Sequence, residues 1–184
     1  ENYDGEFPKE HSQILKLKGV GDYTAAAICS FAFNQSFPVI DGNVYRVLSR
    51  FYGIYTPIDS HQGKKEYAKL AKKVMCTEDP ASYNQAIMDF GAIQCKPISA
   101  ECPTCPMKSE CYSHNHNCTK ILPIKERKIK IRNRFFNYIV IIENDNSYIT
   151  KRTKNDIWKN LYEFPLLESA NKLSKNLTLK LNEW

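Results

Sequence analysis

The pattern of hydrophobic and polar positions divides the chain into a helical part and a β-rich part. From Ser12 to about Ile93, apolar residues recur at spacings of three and four, with breaks at glycine or proline. This pattern predicts short amphipathic helices. Four of them have clear bounds, which are Tyr23–Phe33, Val44–Tyr52, Gly63–Met75 and, with Pro80 at its start, Ala81–Ile93.

The residues that follow the helical part predict a change of structure. A proline- and cysteine-rich loop runs from Cys95 to Cys111, and a polar, basic stretch continues to Arg134. The run Phe135–Glu143 is rich in β-branched and aromatic residues and predicts a strand. Asn144–Ser147 predicts a turn, and Tyr148–Arg152 predicts a returning strand. We therefore expect a second, β-containing domain to begin near Arg134.

Composition and charge narrow the class of protein. The chain has 184 residues, of which 42% are hydrophobic and 25% charged, as in ordinary globular proteins. Its longest apolar runs, such as Tyr138–Ile142, fall far short of the roughly 20 residues that span a bilayer. No targeting segment is visible. The net charge of +6 and the basic run Lys125–Arg134 are compatible with a polyanionic partner.

The cysteines predict a metal site. The chain has seven of them, and four fall within seventeen residues in the spacing C-x6-C-x2-C-x5-C. An odd count with such a cluster favours metal binding in a reducing compartment over a disulfide framework. Zinc and an iron–sulfur cluster both use four thiolates, and ligands on one short segment favour the cluster. The candidate ligands are Cys95, Cys102, Cys105 and Cys111, whereas Cys29, Cys76 and Cys118 are expected to be buried as small apolar side chains.

A glycine-containing turn predicts a phosphate-binding hairpin. Leu17–Ala25 reads LKGVGDYTA, in which two glycines allow a tight turn before a helix. Backbone N–H groups at such a turn can bind a phosphate without reading base sequence. The alternative is an ordinary helix–turn–helix corner with glycines for steric reasons. The candidate DNA-binding residues are Gly19, Val20, Gly21 and Thr24, together with Lys96 and Lys108 of the cysteine loop.

Asp41 has two candidate roles. The segment FPVIDGN leads directly into a predicted helix, and aspartate is a favoured N-cap residue. A carboxylate at this place could instead face a cleft and stabilise developing positive charge. The residues alone leave both roles open.

Four motifs in this order resemble the helix–hairpin–helix DNA glycosylases, most closely the MutY-type adenine DNA glycosylases. The motifs are LKGVGDYTAAAI, VIDGNVYRVLSR, NQAIMDFGAIQC and the cysteine loop. The resemblance implies a mainly α helix–hairpin–helix glycosylase domain over residues 1–112, a basic linker over 113–133 and a partial α+β Nudix-like domain over 134–184. It also implies a [4Fe-4S] cluster on the four cysteines of the loop.

The resemblance also implies an activity and roles for site residues. Such enzymes flip adenine out of a duplex in which it is mispaired with 8-oxoguanine or guanine, and hydrolyse its glycosidic bond. By resemblance, Asp41 stabilises the sugar cation, Asn43 orients the site and Tyr23 lies beside the sugar. Relatives that also cleave the strand carry a lysine where this chain has Tyr23, so we expect excision without strong lyase activity.

The chain departs from this family at the leaving-group acid. That acid is a glutamate upstream of the hairpin, and no residue here matches it. Because the chain begins at Glu1 rather than methionine and stops at Trp184 within an amphipathic stretch, we expect a chain truncated at both ends. In the second domain, Ile157–Pro165 is the clearest match, the hydrolase box is absent, and Trp158 and Phe164 are expected in the core. The remaining expectations are an intracellular monomer, cytoplasmic and nucleoid-associated if bacterial, that binds double-stranded DNA and no membrane. The alternatives are an endonuclease III-like glycosylase/lyase and a catalytically silent DNA-binding module.

Overall fold

Two separate units make up the structure, a computed structural model that describes residues 3–126 and 133–172. The first unit is Glu1–Lys128 and the second is Ile129–Trp184. The helices of the first unit are α1 His11–Ile14, α2 Asp22–Phe33, α3 Gly42–Tyr52, α4 His61–Val74, α5 Pro80–Ile93 and α6 Tyr112–Asn115, with a 3₁₀ turn at Cys102–Thr104. All four helices with predicted bounds are confirmed, to within two residues at each end.

Local capping explains where the longer helices begin and end. The side chains of Asp41, Ser60 and Asp79 accept backbone N–H groups at the starts of α3, α4 and α5. Such a cap contributes about 1 kcal/mol. At the other end, α3 stops at Gly53, whose φ of 69° is left-handed. A side chain at Gly53 would also collide with the ring of Tyr112, because an added Cβ would lie 2.4 Å from its Cγ.

Helix α3 lies at the centre of the first unit and packs against α4, α5 and α6. One core cluster consists of Val44, Leu48, Ile58, Tyr67 and Ala71. A second one joins α1 to α2 through Ile14, Ala25 and Cys29.

The prediction that the three remaining cysteines are buried is confirmed for Cys29 and Cys118 and wrong for Cys76. Cys76 is exposed because it lies just after α4, where the preceding residue Met75 takes the last inward position. Across residues 3–126 and 133–172, no helix is long and apolar enough to cross a bilayer.

Within residues 133–172, the second unit forms short antiparallel strand pairs. Strand β1 Phe135–Tyr138 pairs with β6 Leu166–Ser169. The remaining pairs are β2 Ile142–Glu143 with β3 Asn146–Ser147, and β4 Thr150–Lys151 with β5 Tyr162–Glu163. The predicted turn is present, because Asn144 and Asp145 both have positive φ, as two-residue hairpin turns require.

The two predicted strands of this unit are each shorter than expected. The run Phe135–Glu143 forms two strands rather than one, since its partner changes from β6 to β3 along the run. Within Tyr148–Arg152, only Thr150–Lys151 is a strand, and it pairs with β5 instead of returning along the first run.

The expectation that Trp158 and Phe164 are core residues is wrong. Their side chains are 38% and 36% exposed. Trp158 meets Phe136 edge to face at 5.9 Å, and the guanidinium of Arg152 lies 5.2 Å from the centre of its ring. The guanidinium of Arg152 therefore covers part of the Trp158 ring that apolar side chains would cover in a core.

Candidate functional site

The hairpin between α1 and α2 has an open backbone surface. Gly19 has a φ of +83°, and Gly21 is the N-cap of α2 with no side-chain hydrogen bond. No heavy atom lies within 4 Å of the place where a Cβ would stand on either glycine. Because the first N–H groups of a helix have no partner within it, they are free to bind an anion approaching this surface.

Val20 and its neighbours anchor this hairpin. The side chain of Val20 is half-buried and packs with Leu17 on the cluster that joins α1 and α2. Its own N–H donates to the carbonyl of Leu17 at 3.1 Å, so Val20 acts by holding the turn. Thr24 is exposed in the first turn of α2, and Tyr23 beside it is 48% exposed.

Asp41 caps α3 through both of its carboxylate oxygens. Oδ1 accepts the N–H groups of Asn43 and Val44, each at 2.8 Å, and Oδ2 accepts Nδ2 of Asn43 at 2.7 Å. A carboxylate can accept about four hydrogen bonds, so three donors leave part of its capacity unused. Asp41 is only half-buried, so the residue keeps contact with solvent. The capping role is therefore present, and it leaves the carboxylate able to face a cation.

Arg46 connects the start of α3 to the cysteine loop. Its Nη2 donates to Oδ1 of Asn43 at 2.8 Å and to the carbonyl of Gly91 at 2.6 Å, while Nε donates to the carbonyl of Cys95 at 2.7 Å. The side chain is buried, and this burial lowers the pKa of the guanidinium from its ordinary value. A chain of hydrogen bonds therefore runs from Asp41 through Asn43 and Arg46 to Cys95.

Arg50, one turn further along α3, holds the same loop. Its Nη1 donates to the carbonyl of Lys96 at 2.7 Å and lies 3.4 Å from Sγ of Cys95. Its Nη2 donates to the carbonyl of Pro97 at 3.2 Å, and its Nε donates to that of Leu122 at 3.0 Å. The guanidinium thus joins α3 to two separate segments of backbone.

All four cysteines of the loop line one cavity of about 30 Å³. A cavity needs roughly 10–15 Å³ on this scale to hold one water, so this one has room for a group larger than a single atom. Within residues 3–126 and 133–172, no three Cys, His, Asp or Glu side chains are close enough to hold one metal ion. Four thiols around a larger cavity fit a multinuclear group better than mononuclear zinc.

The two lysines of the loop make contacts within it. Lys96 pairs with Glu101, and Nζ of Lys108 donates to the carbonyl of Pro103 at 2.9 Å. Both side chains keep contact with solvent. Their contribution to DNA binding stays a prediction, and the pairing with Glu101 lowers the charge that Lys96 can offer.

Three further residues, Asn84, Arg46 and Arg50, hold the site together and are not among those predicted from the sequence. Asn84 is 1% exposed; its Oδ1 accepts the N–H of Val39 at 3.0 Å, and its Nδ2 donates to Oγ of Ser30 and to the carbonyl of Phe37. It therefore fixes the extended segment that leads to Asp41. The available signal was its spacing from Pro80 and Gly91, which places a polar side chain on the buried face of α5.

Comparison with known proteins gives consistent matches. The chain is 34% identical over 163 residues to an adenine DNA glycosylase of Buchnera aphidicola, and the match covers 89% of the chain and 47% of that relative. The chain spans about half the length of the curated relatives it matches. No protein-family profile matches it.

Two solved structures share the fold over part of this chain. A thermostable thymine-DNA glycosylase matches with 31% identity and a TM-score of 0.58 over 62% of this chain and 52% of that one. A non-covalent endonuclease III–DNA complex matches with 30% identity and a TM-score of 0.53 over the same shares. The mostly helical helix–hairpin–helix glycosylase fold predicted from the sequence is therefore confirmed over the matched part of the chain.

Proposed function

We propose that this chain, which belongs by sequence to the adenine DNA glycosylase family, is part of a base-excision repair enzyme. The reaction is hydrolysis of the N-glycosidic bond of adenine mispaired with 8-oxoguanine or guanine in double-stranded DNA. The observation that carries the proposal is the carboxylate of Asp41, which three N–H donors hold at the half-exposed start of α3.

Asp41 supplies the charge that this reaction needs. As the bond from C1′ to adenine lengthens, the sugar becomes cationic, and a fixed carboxylate stabilises that charge more than it stabilises the substrate. Asn43 keeps both carboxylate oxygens in place, and Tyr23 lies beside the sugar. Water then adds at C1′ and loses a proton, while adenine leaves with a proton from an acid that no residue of this chain matches.

The hairpin between α1 and α2 binds the DNA backbone. Gly19 and Gly21 leave the backbone uncovered, so that a phosphate can approach the N–H groups of the first turn of α2 near Thr24. Lys96 and Lys108 add cations from the cysteine loop. These contacts go to the backbone of the duplex, so they hold DNA without selecting a sequence.

The cysteine loop fits a [4Fe-4S] cluster held by Cys95, Cys102, Cys105 and Cys111. Bound there, the cluster has a structural function, which is to fix the shape of the loop. The support is the shared cavity of the four thiols and the two buried arginines, which bind the loop backbone from α3.

We further propose a division of labour along the chain. Residues 1–112 form the glycosylase domain, and 134–184 are part of a Nudix-like domain that recognises 8-oxoguanine. Residues 113–133 form a linker whose first part, with α6 and Leu122, still packs on α3. Antiparallel strands and the aromatic segment Ile157–Pro165 support the second domain.

A glycosylase/lyase is the second candidate, because the endonuclease III complexes share the fold. A lyase of this type forms a Schiff base through a primary amine. Tyr23 has no amine, which favours hydrolysis alone.

The test is single-turnover excision of adenine from an 8-oxoguanine:adenine duplex by the complete protein and two variants. Asp41→Asn keeps a residue that caps helices well, so the fold is retained while excision falls by orders of magnitude. Asp79→Asn is the matched control, since Asp79 caps α5 by accepting the N–H of Ser82 and has no part in the site. Equal excision by the two variants would reduce Asp41 to a cap.

Three further readouts separate the alternatives. Strand breaks should appear only after alkali, and breaks without alkali would indicate a lyase. Duplex binding without any excision by the wild type would indicate a silent DNA-binding module. The purified protein should contain about four irons with matching sulfide, whereas one zinc per chain would contradict the cluster.

A further inference from the structure

Arg50 is a buried cation without an acidic partner. Arg50 is 4% exposed. Among residues 3–126 and 133–172, no carboxylate lies within 4.0 Å of its guanidinium. A charge removed from water is costly unless an opposite charge or several hydrogen bonds compensate it. Four backbone carbonyls accept from Arg50, and they satisfy its N–H groups without neutralising its charge.

The nearest group that can carry negative charge is the sulfur of Cys95. Nη1 of Arg50 lies 3.4 Å from Sγ of Cys95 with hydrogen-bond geometry. Arg46 reaches the same residue, but it binds only the carbonyl. Of these two arginines, Arg50 is therefore the one that contacts the sulfur of a proposed cluster ligand.

We infer that Arg50 is a positioning residue that donates an N–H···S hydrogen bond to Cys95 and balances the charge of the cluster, so that it sets the cluster's reduction potential. This inference rests on the proposed [4Fe-4S] site. Hydrogen bonds to the ligand sulfurs and nearby positive charge stabilise the reduced, more negative form. Loss of Arg50 therefore makes the cluster easier to oxidise.

An arginine is needed at this position because of its shape. The planar guanidinium has five donors in a fixed fork, and here it reaches the 95–97 loop and Leu122 at the same time. A lysine has one nitrogen at the end of a flexible chain, so it can bind one of these segments while the sulfur loses its donor.

The experiment compares Arg50→Gln, Arg50→Lys and the control Lys96→Gln in the complete protein without DNA. Lys96→Gln removes a cation from the same loop whose Nζ is engaged with Glu101. Iron and sulfide per chain are measured first, and the midpoint potential is then measured on the loaded fraction. Both readouts are independent of glycosylase activity.

Arg50→Gln should raise the ratio of oxidised to reduced cluster at a fixed potential about tenfold or more, which for one electron is about 59 mV downward. Arg50→Lys should shift the potential in the same direction, and Lys96→Gln should change the ratio less than threefold. If Arg50→Gln loses the cluster, Arg50→Lys provides the potential measurement.

Two results would overturn the inference. Loaded Arg50→Gln with the wild-type potential would show that the sulfur contact is inert. Unloaded Arg50→Gln together with loaded Arg50→Lys at the wild-type potential would show that the N–H···S hydrogen bond does not set the potential, because lysine keeps the charge and loses that bond. A wild-type protein without iron would instead contradict the proposed cluster itself, so the two failures are distinguishable.

Discussion

Replacing Arg46 should damage both the fold and the site, because one guanidinium serves both. Arg46→Met keeps the length and the apolar stem but removes a donor from four acceptors, which are the carbonyls of Gly42, Gly91 and Cys95 and Oδ1 of Asn43. The carbonyl of Cys95 keeps Nη1 of Arg50 as a second donor. Hydrogen bonds from charged donors are worth about 1.5–3 kcal/mol each.

The net loss of stability is smaller than the sum of these bonds. Removing the guanidinium also removes the cost of burying its charge, which is several kcal/mol. We expect the free energy of unfolding to fall by about 3 kcal/mol, a large part of the 5–15 kcal/mol typical of a domain. Asn43 loses the partner that fixes its amide, so Asp41 keeps the two backbone donors to Oδ1 but no longer has a fixed donor to Oδ2. A misplacement of about 1 Å can cost roughly a hundredfold in rate.

The assay has two parts on the complete protein. Urea unfolding followed by circular dichroism gives the stability, and single-turnover excision is measured at a temperature at which the variant stays folded. Lys69→Met, which removes an exposed cation of α4, is the control for loss of charge alone. Wild-type excision by folded Arg46→Met would refute the idea that Arg46 positions Asp41 through Asn43.

Three other substitutions test the packing around this site. Gly91→Ala should destabilise the protein by roughly 1–3 kcal/mol, because the new Cβ would lie 2.7 Å from Cβ of Asn43. Urea unfolding measures this loss, and an unchanged unfolding midpoint would show that α3 and α5 can move apart at no cost. Asn84→Ala should cost about 2–4 kcal/mol and slow excision, since the buried N–H of Val39 loses its acceptor; excision at the wild-type rate would separate this segment from the site. Burial raises the pKa of Tyr67 to about 12 from an ordinary 10.0, so its share of stability is complete below pH 10 and is lost between pH 10 and 12. Tyr67→Phe should therefore flatten the fall in unfolding free energy over that range, and identical curves would contradict the assignment.

The parts of the fold that depend on neighbours in sequence could be predicted. Helix bounds follow from apolar spacing and from local caps such as Asp41 and Asp79, which act within three residues. The hairpin turn at Asn144 and Asp145 is local in the same way.

The parts that depend on distant partners could not be predicted. Arg46 and Arg50 have the sequence signature of surface residues, and all but one of the carbonyls that hold them lie about 45 positions away or more. The burial of residues at the ends of strands and helices also depends on packing partners that are distant in sequence. Trp158 is exposed and Cys76 lies outside the core because of packing partners that periodicity does not identify.

Asp41 caps the start of helix α3 and Arg50 lies in its last turn, so the helix fixes the distance between these two residues. Asp41 and Arg50 are nine positions apart, and a rise of 1.5 Å per residue places them about 13 Å apart along the helix axis. A regular α-helix cannot change this distance. One inserted residue would turn Arg50 by about 100° around the axis, away from Cys95. The stretch 41–50 is therefore closed to insertions and deletions, whereas the exposed loop around Thr77 can change in length.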